Sequence, residues 1–459
     1  MTWANKLSFV LICVVMVFTV MAYGTVHQPV IAVFYFLVIA IAVLWAVDGY
    51  ISRSVRYSTS LLQVVLFSAG LYGLIQVIPF GTLPETGGVA GIPRTIALDP
   101  FATQVSALHY IALGLFFSAL LVCLHTASRI RTLVTVITVF GFGYAFFAIL
   151  QSVLSPDKIY GIYETRFAQP FGTFVNRHNF AAFMEMALAV PLGLLFVGAI
   201  SKDKRLLYFT AVALMGIALL LSGSRGGFVA LIAEVIVLVF LTAGASGKKS
   251  FALKAGLALL LIGAVIAGTF FVGGESSLTR LTETAGSKDV TTNRTHIWNV
   301  TTSVITHNLP FGAGIGSFGP AYTPYDTFNG LERVEQAHND YLQVLADAGI
   351  VGLLIGGGFI FLLVITAMRS IKTTNRYRRG VAVGAVAGCT AILVHSVFDF
   401  VLHTTAIAAM FLTLLGLLVA SGDDYEDDVA DRESGMDTRR HRSASVSSIS
   451  EGRRSFSRR

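Results

Sequence analysis

The chain has 459 residues, of which 54% are hydrophobic and 13% charged, with a net charge of +7 and a mean hydropathy of +0.72. Soluble domains carry about 25% charged residues, so this composition excludes a water-soluble enzyme. The basic residues fall between long apolar runs, which excludes a nucleic-acid surface as the meaning of the charge, and Cys13, Cys123 and Cys389 lie inside apolar runs and define no disulfide framework.

A helix of about 20 apolar residues crosses a bilayer. Windows of that size place twelve spans, near 7–23, 29–47, 58–79, 102–124, 132–154, 179–200, 206–222, 226–244, 252–272, 348–368, 380–397 and 400–420. The first follows Lys6 as a signal peptide would, but its length and the lack of an A-x-A site mark a retained helix. Every second connection is basic: Arg53 and Arg56; Arg129 and Arg131; Lys202, Lys204 and Arg205; Lys248, Lys249 and Lys254; and Arg369 to Arg379. The positive-inside rule makes these cytoplasmic, together with both termini, and turns the long connections 80–101, 155–178 and 273–347 outward. The expectation is an all-α integral membrane protein with a polytopic domain over 1–420. The 44 glycines suit helices packed closely in lipid. Residues 421–459, acidic and then basic and serine-rich, read as a disordered cytoplasmic tail.

Polar residues punctuate this frame in chain order. Arg177 and His178 sit at the start of the sixth span, and Glu185, two turns further on, shares a face with His178. A carboxylate in a membrane is costly and functional by default. Glu185 is therefore expected to orient His178 or an arginine, or to brace two helices. Arg225 occupies the short turn before the eighth span, and for Glu234, two turns beyond it, a helix-packing brace is favoured over a direct partner of that arginine.

The connection 273–347 is too long to be a mere link. It should hold a helix from Thr292, as cap, through His307, with Ile297, Val300 and Val304 on one face near Arg294. A glycine-rich turn follows Pro310. A second helix is expected from Gln336, its stripe made of His338, Tyr341, Leu342 and Leu345. Gly314 to Gly319 fits G-x-G-x-x-G, but no strand precedes it, so no nucleotide fold is implied, although the backbone of Gly314 and Gly316 is open to a phosphate. The acids Asp326, Glu332, Glu335 and Asp340 flank His338 with spacing that suits a solvated loop better than a Mg²⁺ site. His395, Asp399 and His403 recur at spacing four, which would serve a metal on a continuous helix. Asp399 as a cap or hinge between the last two spans is the favoured reading, and no metal or other cofactor is expected.

His338-Asn339, nine residues, Gly349, two residues and Gly352 resemble a pattern of the bacterial O-antigen ligase and polysaccharide polymerase superfamily. FGTFVNRHNFAAFMEM at 171–186, SGSRGG at 222–227, NRTHIW and LPFGAGIGSF within 293–318, and HSVFDFVLH at 395–403 are similar to that family as well. The resemblance runs over roughly residues 140–420. It implies a metal-free, inverting transferase that takes a glycan from undecaprenyl diphosphate at the outer face of the inner membrane. It makes Arg225 and Arg294 the essential arginines and His338 the catalytic histidine. From their own positions in the chain, Arg177, His178, Glu185, Asn339, Gly314 and Gly316 are expected around the substrate.

The chemistry agrees. Guanidinium binds phosphate through paired donors and can neutralise a departing diphosphate, and an imidazole titrates where it can take a hydroxyl proton. Asn339 suits a helix-start hydrogen bonder better than a catalytic group. The acceptor stays open between lipid A core, a second lipid-linked glycan and a protein, with the His338 motif leaning to the ligase. A twelve-span transporter is the competing class. It fits less well because only Ser201 to Arg205 separate spans six and seven. A scaffold without catalysis leaves the arginines and histidine unexplained.

Overall fold

The computed structural model describes residues 1–85, 88–165, 168–243, 294–328 and 333–422, with Gly256, Leu259 and Gly263 as isolated positions. The helices in chain order are α1 (Trp3–Met21), α2 (Gln28–Ser52), α3 (Leu62–Gln76), α4 (Pro100–Cys123), α5 (Ala127–Leu154), α6 (Arg177–Val197), α7 (Arg205–Leu221), α8 (Arg225–Ala243), α9 (Arg294–Asn308), α10 (Phe318–Tyr322), α11 (Asp340–Ser370), α12 (Arg376–His395) and α13 (Thr405–Gly422). The only sheet among the described residues is a two-stranded ribbon, β1 (Lys158–Ile159) against β2 (Tyr163–Glu164).

Nine of these helices are long and apolar enough to span a membrane, and α3 and α7 are shorter apolar helices. Each falls on an expected span. The ninth expected span, 252–272, lies almost wholly outside the described residues, as do the cap Thr292 and the tail beyond Gly422. Sequence capping sets many of the boundaries. Asp99, Thr126, Asn176, Asn339 and Asn375 each accept an amide hydrogen bond at the start of α4, α5, α6, α11 and α12.

Helices α6 and α13 are buried along nearly their whole length, whereas α2 and α11 expose side chains such as Phe36, Ile39, Leu354 and Phe361. An apolar outer surface of this kind belongs against lipid. Helices α6 and α12 run antiparallel at very short range. A Cβ on Gly193 would come within 2.5 Å of the Gly380 carbonyl oxygen and the Gly384 Cα, and one on Gly384 would come within 2.6 Å of the Ala189 carbonyl oxygen. Gly380, Gly384 and Gly388 repeat at every fourth residue, the small-residue seam that lets backbones meet in lipid.

The two ends of the bundle differ in chemistry. At one end the basic connections meet: the Arg56 guanidinium lies 3.2 Å from His125, Arg131 stacks over Tyr377, and Arg376 donates to the Val197 carbonyl. At the other end the starts of α6 and α8 gather with the end of α12 and the segment before α11. A second, small core caps that end. Val300 and Val304 of α9 pack with Ala313, with Phe318, Ala321 and Tyr322 of α10, and with Ala337. Ile297 joins them, so the face expected of this helix is the one it buries.

Candidate active site

The polar residues singled out in the sequence converge on Asp399. Its Oδ1 accepts from His338 Nδ1 at 3.0 Å and its Oδ2 from Arg294 Nη2 at 3.0 Å, and His178 Nδ1 lies 3.8 Å from Oδ2. Asp399 is only 2% exposed, whereas His338 is 31% and Arg294 19% exposed. A buried carboxylate thus anchors groups whose other edges reach solvent. Burial alone would push the Asp399 carboxyl up. The His338 hydrogen bond and the charges of His178, Arg294 and His338 together outweigh it and hold the carboxyl well below the usual carboxylate range. An ionised carboxylate only accepts, so the proton of a neutral His338 sits on Nδ1 and its Nε2 carries the free lone pair.

The backbone around His338 is fixed from both sides. Trp298 Nε1 of α9 donates to the Ala337 carbonyl, and the Ala337 amide donates to Gln343 Oε1 of α11. His338 itself adopts φ 51°, the left-handed region, and its ring meets Phe400 edge-on with centroids 4.8 Å apart. Asn339 follows as the N-cap, its Oδ1 accepting from the amides of Tyr341 and Leu342, as its residue type suggested. Helix α11 therefore starts at Asp340, not at Gln336. His338 precedes it and is not on the stripe of Tyr341, Leu342 and Leu345, because Asn339 captures the amides that would have continued the helix backwards.

Arg225 opens α8 between two residues tied to the cluster. Ser224 Oγ is 2.9 Å from His178 Nδ1, and a Cβ on Gly226 would come within 2.9 Å of His395 Nε2 and 3.2 Å of Phe398 Cβ. The Arg225 side chain is exposed beside this junction. Arg177, first in α6, bonds Gln169 through its side chain and through its amide.

Other expected pairings are redrawn. Glu185 bonds neither His178 nor an arginine; it is the brace between helices that the sequence also allowed, since His395 Nδ1 of α12 donates to its two oxygens at 3.2 and 3.1 Å, both side chains being fully buried. The helix seam sets this partner, since α6 and α12 run antiparallel and bring the two side chains level. Glu234 is not hydrogen-bonded to Arg225; its two carboxylate oxygens are buried without a hydrogen-bond partner. His395, Asp399 and His403 do not share a helix face, because α12 ends at His395 and the chain turns before a short 3-10 segment at Val401–His403. They go to three destinations: Glu185; the His338–Arg294 pair; and Asp340, which His403 Nδ1 meets at 2.9 Å. Asp399 does serve its turn, accepting from the Phe400 amide, but the hydrogen bonds to His338 and Arg294 are what the cap reading missed.

Gly314 and Gly316 adopt φ 106° and 85°, and their amides donate to Asp347, Gly314 to its carbonyl and Gly316 to its Oδ2. Gln76 of α3 ties down the same loop, bonding Phe311, Ile315 and Asp347. Of the outer acids, Asp326 meets His296, Glu335 meets Arg333 and Asp340 meets His403, while Glu332 lies outside the described residues. Among the described residues no group of three or more His, Cys, Asp or Glu side chains is arranged to hold a metal ion.

Apolar helices on this scale, closed at one end by a histidine, arginine and aspartate cluster, define a multi-pass membrane protein with a polar site at one end of its bundle. Residues 210–357 match the family model described as O-Antigen ligase. The match, over about a third of the chain, supports a membrane protein of the O-antigen ligase and polymerase type. The match takes in Arg225, Arg294 and His338; His178, Glu185, His395 and Asp399 lie outside it. A search of curated proteins finds no match to the chain.

Proposed function

We propose that this protein transfers a glycan from undecaprenyl diphosphate to an acceptor hydroxyl at the periplasmic face of a bacterial inner membrane, with no metal or other cofactor. The observation that carries the reading is the triple His338–Asp399–Arg294, which holds a proton acceptor beside a phosphate-binding cation. His338 Nε2 takes the proton of the acceptor hydroxyl as its oxygen attacks the anomeric carbon. The bond to the diphosphate oxygen breaks from the opposite face, so the configuration inverts. The diphosphate leaves with the electron pair, and Arg294 and Arg225 balance the charge it gains. Asp399 positions His338 and supports the imidazolium formed during attack. It uses one Nη of Arg294, and a guanidinium has five donors, so others remain for phosphate. Arg177 extends the cationic rim, His178 joins Ser224 to the Asp399 cluster, Glu185 acts through His395, Asn339 sets the start of α11, and Gly314 and Gly316 shape the adjoining loop.

The basic connections face the cytoplasm in this reading, with both termini, and the site faces the periplasm. Lipid A core is the acceptor we favour; a second lipid-linked repeat would make the protein a polymerase. Purified protein given lipid-linked donor and acceptor should transfer glycan, and His338→Ala, folded and inserted normally, should not. Turnover by the Ala variant at the wild-type rate would end the proposal. In a deletion strain, intact polymer stranded on its carrier indicates a ligase, and loss of chain length indicates a polymerase.

A further inference from the structure

A cavity of about 360 Å³ lies between α3, α4, α11 and α13, with Asp340 and Ser396 in its lining. Its volume is that of a site for a small organic ligand. Val65, Leu66, Leu353, Phe359 and Phe411 line most of it, and its polar wall is made by Asp340, Gln343, Asp347, Ser396 and His403. Two polar atoms of that wall are buried with no hydrogen-bond partner, Asp347 Oδ1 and Ser396 Oγ. Asp347 is 4% and Ser396 1% exposed. Asp347 Oδ2 is already taken by the Gly316 amide and by Gln343 Nε2. A buried polar atom without a partner is costly, and here two of them sit where an apolar chamber meets its polar wall.

The charge of that wall selects among occupants. The ionisable side chains among the residues lining the cavity are Asp340, Asp347, His403 and the tyrosines Tyr72, Tyr110 and Tyr341, with no Lys or Arg. His403 is committed to Asp340 at 2.9 Å. A phosphate would meet carboxylates without a guanidinium, the reverse of the arrangement around Arg294. A hydroxyl offers what the wall lacks, a donor for Asp347 Oδ1 and a donor or acceptor for Ser396 Oγ.

We propose that this cavity binds an uncharged amphiphile, a hydrocarbon chain topped by a hydroxyl-bearing head, at a site separate from the diphosphate's place beside Arg294. The chain lies along the apolar face of α11 and the head reaches Asp347 and Ser396. Gly356 and Gly357 line the chain's path, and a Cβ on either would meet nothing within 4 Å. A larger side chain there starts from open space on the cavity wall.

The test reads binding without turnover, so it stands apart from the glycan-transfer proposal. The full chain in phosphatidylcholine nanodiscs is photolabelled with an alkyl glucoside carrying a diazirine in its chain, and in parallel with the same chain ended by a monophosphate. The glucoside probe should label peptides of α11 and α13 at least about tenfold more than the phosphate probe. Gly356→Leu should abolish that labelling, and Ser396→Ala should weaken it by up to about tenfold, the size of one hydrogen bond. Melting temperatures within a degree or so of wild type would establish that both variants are folded; a variant that fails this check is replaced by Gly357→Leu. Equal labelling by the two probes, or unchanged labelling in the leucine variant, would overturn the proposal and leave only bilayer lipid against the helix.

Discussion

Asp399 Oδ1 lies 3.0 Å from His338 Nδ1 although the two residues are 61 positions apart in the chain. The same carboxylate holds Arg294 through its other oxygen. One buried group therefore sets both the tautomer of the proposed base and the direction of the proposed diphosphate ligand, and the predictions follow from that sharing.

Asp399→Asn keeps the shape but replaces an acceptor-only carboxylate by an amide that can also donate. His338 then loses its enforced tautomer and Arg294 its counter-charge. Transfer should fall by about 10²–10⁴, the range over which positioned general bases act, with most of the loss in kcat. A variant with wild-type kcat would reduce Asp399 to a turn residue.

The depressed Asp399 carboxyl also sets a pH dependence. Its pKa is lower folded than unfolded, so its contribution to stability is fully present above the unfolded value of about 4 and is lost as pH falls from there through the folded value. The melting-temperature gap between wild type and Asp399→Asn should be widest above about pH 5 and narrow below about pH 4. A gap that widens on acidification would contradict the ion-paired state.

Arg225→Lys and Arg294→Lys should each lower transfer by about tenfold or more, because a lysine cannot reproduce the paired donors of a guanidinium. The comparison requires equal amounts of inserted protein. Full activity in both variants would make the arginines surface charges.

Cysteine labelling checks sidedness. Phe328→Cys, on the exposed loop near the site, should react with an impermeant thiol reagent in intact spheroplasts, and Lys202→Cys, in a basic connection, only after lysis. The reverse pattern would turn the site toward the cytoplasm.

Transfer by the purified protein should persist in EDTA, since fixed positive charge is proposed to stabilise the departing diphosphate. Activity lost on chelation and restored by Mg²⁺ or Mn²⁺ would show that the arginine mechanism is incomplete.

Much of this architecture is written in local signals. Apolar run length and alternating basic connections mark the helices, and Asn176, Asn339 and Asn375 mark helix starts within a few residues. Arg294 and His338 stand out in the sequence through the family pattern, and the structure brings both to Asp399. Pairings across helices do not stand out in this way. Glu185 has His178 seven residues before it in the sequence, but its partner His395 comes from α12, through a seam whose register depends on glycines of both helices. Asp399 resembled a turn residue because its neighbours in sequence say nothing of the α9 arginine and the left-handed histidine that close on it. The spacing of His395, Asp399 and His403 carried a signal, yet it assumed one helix where the chain bends.

Trp298 stands one helical turn after Arg294 on α9, and its indole holds the carbonyl of the residue just before His338. The proposed proton acceptor and the proposed anion grip are therefore mounted on one lever. A shift of α9 that loosened Arg294 would drag on the histidine's backbone as well, so binding and chemistry would be lost together. A donor whose diphosphate steadies Arg294 would, through the same indole, steady His338 for the second substrate. Donor first and acceptor second is the order of events that such a linkage favours.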